Sequence, residues 1–306
     1  MKSLKLLSCI VFMPFIAYCW NAQGHNTCGA IAYYYLKAND PVVLGKVVAT
    51  LKAHPWYSTE WAQRIAGISP GNKDLALFML ASTFPDEARK DDKYGGPVHA
   101  VWHYVDYPYV PEGQKVKGEE PHVPNAEVKI IGLSDSLMMV KDPAEQAVGL
   151  CWIFHLIEDV HQPLHAASMF SDVFPEGDKG GNSVKVTFGA AKPEALHHYW
   201  DGLVSKDLAF NDIPAAAEKL YKEPKYKLTA LHELKEHTAV HQWTYVESYP
   251  LAISAAYKNG KVNGTEMSPT QLDNAYAQNA MTVGERRLVL SSIRLAQKLE
   301  EIYKYK

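Results

Sequence analysis

The sequence predicts a mainly α-helical fold in a single domain with one small β-hairpin. Apolar residues recur with the 3.6-residue period of amphipathic helices through most of the 306-residue chain. Alternating, strand-like patterns are scarce, and neither repeats nor low-complexity linkers divide the chain. Because 47% of the residues are apolar, the chain can bury a sizeable core.

Residues 1–19 have the pattern of a secretory signal peptide. Lys2 and Lys5 flank the start of an apolar run of about 13 residues, which is too short to span a bilayer comfortably. Cleavage after Cys19 would leave a catalytic domain, residues 20–306, that begins at Trp20. We therefore expect a secreted or periplasmic protein with no membrane attachment after cleavage. An uncleaved anchor and a lipoprotein acylated at Cys19 are the alternatives, although a lipoprotein signal needs a small residue where Tyr18 stands.

Cysteine content and charge limit the possible partners. Cleavage would leave Cys28 and Cys151, which an oxidising compartment would allow to pair, but the sequence does not decide whether they meet.

Losing Lys2 and Lys5 would take the net charge from −3 to about −5. This charge does not fit a protein that binds nucleic acid through a basic face. An anionic substrate would have to be attracted by something other than lysine.

The helices follow one another along the chain. The predicted ranges are 21–37, 42–51, 58–66, 127–140, a helix from 142 toward 155, 213–222, 228–253 and 268–303. The helix after Asp142 has a strong start signal, because Asp142 is a good N-cap and Pro143 suits the first turn. The last range is too long for one helix, and we expect a bend near Gly284.

Two segments depart from the helical pattern. Residues 183–189, SVKVTFG, alternate in polarity and follow Gly180-Gly181-Asn182, which predicts the small hairpin. Residues 90–124 are rich in Pro, Gly and Tyr, and we expect an irregular aromatic segment there.

Histidine and aspartate cluster in FHLIEDVHQPLH, residues 154–165. His155 and Asp159 are four positions apart, so they project from one face of a helix. Pro163 interrupts the helix, and the resulting turn can bring His165 back to the same region. Imidazole nitrogen and carboxylate oxygen are zinc ligands at about 2 Å. A single pair of this kind is weak evidence, because most such pairs are ordinary surface pairs.

Four more motifs strengthen the prediction of a metal site. They are LHHYWD with His197 and Asp201, FPDEAR with Asp86 and Arg89, VWHYVDYPY with His103 and Asp106, and WNAQGH with His25. Cleavage before Trp20 would add a free α-amine, which ligates metal together with its own carbonyl oxygen. One tetrahedral zinc takes at most four ligands, so this set suggests three zinc ions with a bridging carboxylate. The candidate ligands are Trp20, His25, Asp86, His103, His155, Asp159, His165, His197 and Asp201.

These motifs resemble those of the zinc-dependent S1/P1 nucleases, from Trp20 to the C-terminal IRLAQKLEEIY. The most specific parts are His155-x-x-x-Asp159 with HQPLH, the Gly-Gly-Asn at 180–182, and Leu-His197-x-x-Trp-Asp201. The resemblance implies a mainly helical fold, shared with zinc-dependent phospholipase C, with three zinc ions at the base of a cleft. The implied ligand sets are Asp86, His103, His155 and Asp159 for one zinc; Trp20, His25 and the bridging Asp159 for a second; and His165, His197 and Asp201 for a third.

The resemblance also implies an activity. We expect an endonuclease that hydrolyses phosphodiester bonds of single-stranded DNA and RNA to 5′-phosphate products, with 3′-nucleotidase activity as a further expectation. Zinc would make the cleft locally positive and would activate water near neutral pH. Asp106 would orient or deprotonate the water, and Arg89 would neutralise charge on the phosphoryl oxygens. Tyr104 would stack on a base, which favours unpaired strands, and Asn182 is a second candidate substrate contact.

Several alternatives stay open at this point. The alternative role of Arg89 is a surface salt bridge. The alternative role of Asp106 is to cap a loop, and that of Tyr104 is to pack in the core. Gly202 stands where the family often has an Asn that contacts the base edge, and Ser292 replaces a usual glycine. The protein is alternatively a zinc-dependent phospholipase C or a non-catalytic secreted zinc-binding protein; Asp201, where the phospholipase typically has Glu, and the HQPLH motif favour the nuclease. The sequence implies no stable protein partner. It leaves open the DNA or RNA preference, the physiological role, the oligomeric state, and glycosylation at Asn263.

Overall fold

The structure is a computed structural model that describes residues 20–91 and 93–304, so the predicted signal segment 1–19 lies outside the described residues. The prediction of a mainly helical fold is confirmed. The helices of the described chain are α1 (Ala22–Asn39), α2 (Pro41–Leu51), α3 (Glu60–Arg64), α4 (Lys73–Glu87), α5 (Gly96–His99), α6 (Ala126–Ser136), α7 (Pro143–Asp159), α8 (Leu196–Asp201), α9 (Ile213–Tyr221), α10 (Glu233–Glu236), α11 (Tyr249–Leu251) and α12 (Asn274–Tyr303). The strands are β1 (Tyr107–Tyr109), β2 (Ala167–Met169), β3 (Lys185–Phe188), β4 (Glu194–Ala195) and β5 (Thr270–Leu272).

The core lies between α1, α4, α7 and α12. Helix α1 packs against α4 and α12, and α4 packs against α7. Every residue of α7 from Leu150 to Asp159 is buried, although an amphipathic surface helix would expose one face. The polar groups at the C-terminal end of α7 are therefore enclosed by protein, where they need partners.

Local sequence signals set the bounds of α7. The side chain of Asp142 accepts a hydrogen bond of 2.8 Å from the backbone N–H of Ala144, and Pro143 occupies the first turn. The helix ends at Asp159, and a short 3₁₀ turn, Pro163–His165, follows. Gln162 caps this turn, because its Oε1 accepts from the backbone N–H of Leu164 at 2.6 Å.

Helix α4 was not expected from the sequence pattern. Pro85 lies near its C-terminal end, and a proline inside an apolar segment usually indicates a helix end. The helix nevertheless continues to Glu87, with Leu75 to Pro85 buried in the core. Tertiary burial thus outweighs the local cost of the proline.

The predicted helical range 268–303 is not one helix, because residues 270–272 form β5, but no interruption occurs near Gly284, where a bend was expected. Helix α12 runs without interruption over 30 residues, and Asp273 caps it by accepting from the N–H of Tyr276 at 2.7 Å. Residues buried along its whole length pack against neighbouring helices and keep it continuous. Gly284 contributes by leaving room for Leu203, whose Cδ1 would be 3.2 Å from an added Cβ.

The predicted helix 228–253 is divided into several segments. Its parts are α10, two π-helical turns, Gln242–Ser248 and Ala252–Ala256, and the short α11 between them. The break before Gln242 has a local cause, because its side-chain oxygen accepts from the N–H groups of Thr238 and Ala239 at 3.0 Å each. These bonds cap a new helical start instead of continuing α10.

The strands form two small sheets. In one sheet β3 pairs antiparallel with β4, at the predicted hairpin, and parallel with β5. In the other sheet β1 pairs parallel with β2, with Tyr107 opposite Ala167. This second pairing joins the segment that follows Asp106 to the segment that follows His165.

Two further points concern cysteines and membranes. Cys28 and Cys151 are both buried and both free thiols, so they do not pair in this structure. Within residues 20–91 and 93–304, no helix combines the length and apolarity needed to cross a membrane.

Candidate metal centre

The structure brings all eight candidate His and Asp side chains together. Within the described chain, they form three groups, two of which share His155, and the ligand atoms of each group lie within 4.8 Å of one another. The groups are His25, Asp86 and His155; His103, His155 and Asp159; and His165, His197 and Asp201. Residues far apart in sequence therefore share one buried site.

Asp159 stands between two sets of histidines. Its Oδ2 lies 3.0 Å from Nδ1 of His103 and 3.2 Å from Nε2 of His155. Its Oδ1 lies 3.4 Å from Nε2 of His25, whose ring stacks on that of His155 with centroids 4.1 Å apart. Each oxygen of Asp159 therefore approaches a different histidine, which is what a carboxylate that bridges two metal ions requires.

Three buried polar atoms at this site lack a hydrogen-bond partner within the described structure: Nε2 of His25, Oδ1 of Asp159 and Oδ2 of Asp201. A buried unpaired polar atom costs about 1–3 kcal/mol, so such atoms are normally satisfied. All three belong to the candidate ligand set. Imidazole nitrogen and carboxylate oxygen are the donors that zinc prefers, and the residues present therefore fit zinc.

Backbone carbonyls orient three of the histidines. In each case Nδ1 donates to a carbonyl oxygen, which leaves Nε2 turned toward the other candidate ligands. The pairs are His155 with Ser82 at 2.8 Å, His165 with His103 at 2.6 Å, and His197 with Gly180 at 2.5 Å. This hydrogen bond fixes the tautomer and ring orientation that a metal ligand needs.

Two neighbours of the ligands, Glu158 and Gln162, were missed as functional residues. Glu158 is fully buried; its Oε2 lies 2.5 Å from Nδ1 of His25, and its Oε1 accepts from Oγ of Ser82 at 2.7 Å. Gln162 donates from Nε2 to Oδ1 of Asp201 at 2.8 Å. The one available signal was their position within FHLIEDVHQPLH, directly beside candidate ligands.

Trp20 lies against the same site. Its side chain is fully buried, and its indole N–H donates to the carbonyl oxygen of Glu158 at 3.1 Å. The next residue, Asn21, donates from its backbone N–H to the carbonyl oxygen of Asp201 at 3.1 Å. These two bonds hold Trp20 and Asn21 against Glu158 and Asp201.

Burial and neighbouring charges change the pKa values of several candidate ligands, some upward and some downward. Burial would raise the pKa of Asp86, but the neighbouring His155 and Arg89 outweigh it and hold that pKa well below its usual range. Burial, together with the negative charges of Asp159 and Asp86, raises the pKa of Asp201 well above its usual value despite the hydrogen bond from Gln162. Burial also lowers the pKa of His103 to about 4, which keeps this imidazole neutral and able to ligate metal.

Arg89 and Asp106 lie at the edge of the site. Nη2 of Arg89 donates to Oδ1 of Asp86 at 2.6 Å, so the guanidinium is anchored on a candidate ligand. Asp106 adopts a left-handed backbone with φ of 60°, and its Oδ1 would be 3.4 Å from a Cβ added to Gly180. Burial, with a contribution from Asp178, raises the pKa of Asp106 to about 8.

The two candidate substrate contacts differ in their surroundings. Tyr104 is partly exposed directly after His103, and its carbonyl oxygen accepts from the N–H of Ala126 at 3.1 Å. The side-chain amide of Asn182 donates to the carbonyl oxygen of Lys179 at 2.8 Å, within its own turn. Contact of either side chain with a substrate stays a prediction.

Two histidines outside the ligand set, His54 and His161, are buried in the protein. His54 stacks on Trp61 with ring centroids 4.2 Å apart, and burial lowers its pKa to about 3. His161 is fully buried; its Nδ1 donates to the carbonyl oxygen of Ile157 at 2.7 Å, and its Nε2 accepts from Arg294 at 2.8 Å. His161 therefore points away from the metal site, into a cluster formed by Glu247, Arg287 and Arg294.

Comparison with known proteins adds a finding independent of this geometry. The sequence model of the S1/P1 nucleases matches residues 20–304. The chain is 25% identical to Endonuclease 4 of Arabidopsis thaliana over 319 residues, covering 95% of this chain and 91% of that protein. It is 24% identical to Endonuclease 3 of the same plant over 315 residues, with the same coverage. It is 28% identical to Endonuclease 5 over 196 residues, covering 58% of this chain and 60% of that protein.

Proposed function

The chain belongs to the S1/P1 nuclease family, and we propose that it is a secreted zinc-dependent endonuclease that cleaves single-stranded DNA and RNA to 5′-phosphate products. Membership of the family supports a nuclease acting on nucleic acid. The observation that carries the proposal of bound zinc is the position of Asp159, whose Oδ1 approaches His25 and whose Oδ2 approaches His103 and His155.

Three sets of residues would hold the zinc ions. They are Asp86, His103, His155 and Asp159; Trp20, His25 and Asp159; and His165, His197 and Asp201. Trp20 would contribute its amine and carbonyl after cleavage of residues 1–19. When bound, zinc supplies Lewis acidity and lowers the pKa of water.

The remaining residues would handle the proton and the substrate charge. Asp106, close to the loop that orients His197, would accept a proton from the attacking water or fix its direction. Arg89, anchored on Asp86, would donate to the phosphoryl oxygens and offset their charge. The acidic chain needs no basic surface in this scheme, because the cations in the site would attract the phosphate.

Tyr104 would select unpaired strands. An aromatic ring accepts the face of any base, but a base inside a duplex is already stacked and paired on both sides. The partly exposed Tyr104 directly after His103 is placed for such a contact. Asn182 would act as a further contact to the substrate, and 3′-nucleotidase activity would follow from the same site.

Metal analysis combined with product mapping tests the proposal. The chain 20–306 should hold three zinc ions, cut a single-stranded oligonucleotide faster than its duplex, and leave ends that accept a kinase phosphate only after phosphatase treatment. Asp159→Asn should lose zinc and activity together. Asp135→Asn, the same change on the exposed face of α6, should behave like the parent chain.

Two results would contradict the proposal. Hydrolysis of phosphatidylcholine vesicles without cleavage of the oligonucleotide would indicate the phospholipase alternative. Three bound zinc ions with no phosphodiester cleavage would indicate a zinc-binding protein without catalytic function.

A further inference from the structure

A single buried carboxylate, Asp178, holds a loop of residues 177–182, the glycine loop. Asp178 is fully buried and accepts four hydrogen bonds. The donors are the N–H of Met169 at 2.7 Å, the N–H of Gly181 at 3.0 Å, the hydroxyl of Tyr257 at 3.0 Å and the hydroxyl of Ser168 at 3.3 Å. Asp178 therefore ties the loop to β2, the strand that follows His165.

The backbone of the glycine loop needs this support. Gly177, Lys179, Gly180 and Gly181 all have positive φ, between 59° and 83°. A positive φ is sterically unfavourable for Lys179, which has a Cβ. The glycines lose more conformational freedom on ordering than other residues do. Without external hydrogen bonds such a segment would adopt many other conformations.

The glycine loop in turn positions His197. The carbonyl oxygen of Gly180 accepts from Nδ1 of His197 at 2.5 Å, and the carbonyl oxygen of Gly181 accepts from its backbone N–H at 3.3 Å. A Cβ on Gly180 would lie 2.6 Å from the carbonyl oxygen of Leu164, the residue before His165. The loop thus packs directly against the turn that presents a second ligand of the same group.

We propose that Asp178 is a positioning residue for one zinc site only, the one formed by His165, His197 and Asp201. Each hydrogen bond donor to its carboxylate belongs to β2, the glycine loop or Tyr257. Most ligands of the other two groups lie on different elements: His155 and Asp159 on α7, His25 on α1 and Asp86 on α4. His103 is the exception, because it precedes β1, which pairs with β2, but none of its atoms bonds to Asp178 or the glycine loop in the contacts described above. Loss of the Asp178 carboxylate should therefore loosen one metal ion and leave two in place. This inference rests on the proposed trinuclear site.

The experiment is a zinc competition titration of the chain 20–306 against a chromophoric chelator. Asp178→Asn keeps the shape of the side chain but places an NH₂ group against one of the N–H donors. We expect one of the three zinc affinities to fall about 10–100-fold, the range usual for residues that orient metal ligands. The other two affinities should stay within about twofold of the parent chain.

Two further variants keep the test decisive if Asp178→Asn does not fold. Gly180→Ala forces the loop away from Leu164 and should cause the same selective loss. Tyr257→Phe removes one of the four hydrogen bonds and should weaken the same site by about three- to tenfold. Asp40→Asn is the control, because it makes the same chemical change at a carboxylate that accepts a backbone hydrogen bond, from Val43 at the start of α2, away from the glycine loop.

The outcomes separate this inference from the proposed function. If the parent chain binds fewer than three zinc ions, the trinuclear site and this inference both fail. If the parent chain binds three and Asp178→Asn binds three with unchanged affinities, only the inference fails. A lower unfolding temperature of the zinc-free variant with all three zinc affinities unchanged would show a purely structural role, and would also overturn it.

Discussion

Glu158 lies 2.5 Å from His25, with Oε2 of the carboxylate directed at Nδ1 of the imidazole, although 133 positions separate them in the sequence. The contact turns Nε2 of His25 toward Oδ1 of Asp159. A carboxylate behind a ligand histidine fixes the ring and increases its basicity. Glu158 is therefore placed to orient His25, one of the candidate metal ligands.

Replacement of Glu158 by Gln should weaken the zinc held by His25. The amide cannot accept from both His25 and Ser82, and we expect the affinity of that zinc to fall about 10–100-fold. Zinc titration of the chain 20–306 measures this change. Glu145→Gln, an exposed position in the first turn of the same helix, is the control. Equal affinities in both variants would rule out this role for Glu158.

Asp106→Asn should reduce catalysis and leave the metal content unchanged. If Asp106 takes a proton from water, its loss should lower kcat about 10²–10⁴-fold. Zinc analysis should still find the number of ions present in the parent chain, because Asp106 belongs to none of the three ligand groups. A variant with full activity would show that the carboxylate only stabilises its loop.

Tyr104→Ala should raise KM for single-stranded oligonucleotides. Stacking of one base on an aromatic ring contributes about 1–3 kcal/mol, which corresponds to an increase of roughly 5- to 150-fold. Tyr104→Phe keeps the ring and should restore the parent KM. Steady-state kinetics on one oligonucleotide distinguishes the two. Equal KM values for the alanine variant and the parent would place Tyr104 outside the substrate site.

The buried cluster around Glu247 predicts a pH dependence of stability. Burial alone would raise the pKa of Glu247, but hydrogen bonds from Arg294 and the charge of Arg287 outweigh it and hold that pKa well below its usual range. Because the folded pKa lies below the unfolded value of about 4.3, the stabilisation is present above that pH and is lost as pH falls below it.

Glu247→Gln tests this dependence. Removing one partner of a buried ion pair should lower the free energy of unfolding at pH 7 by about 3–5 kcal/mol. The difference from the parent chain should shrink between about pH 4.5 and pH 2. Urea unfolding of zinc-free protein at several pH values measures it, with the exposed Glu176→Gln as control. A difference that stays constant down to pH 2 would contradict the assigned pKa direction.

Local sequence patterns determined the fold class and the identity of the candidate ligands. The cap at Asp142, the four-residue spacing of His155 and Asp159, and the turn at Pro163 depend on interactions between near neighbours. Such interactions are decided by a few adjacent residues, so they can be predicted from the chain without its tertiary structure. The resemblance to the S1/P1 nucleases, now confirmed, rests on the same short motifs.

Only the tertiary structure decided which buried polar groups meet. The contact of Glu158 with His25, the hydrogen bond of Gln162 to Asp201, the bonds of Asp178 to β2 and the Glu247 cluster join residues distant in sequence, and no local pattern indicates them. Burial also carried α4 past Pro85 and kept α12 continuous, against the local signals. The physical reason is that a buried polar group must find a partner, and packing of distant helices and loops determines which partner is within reach.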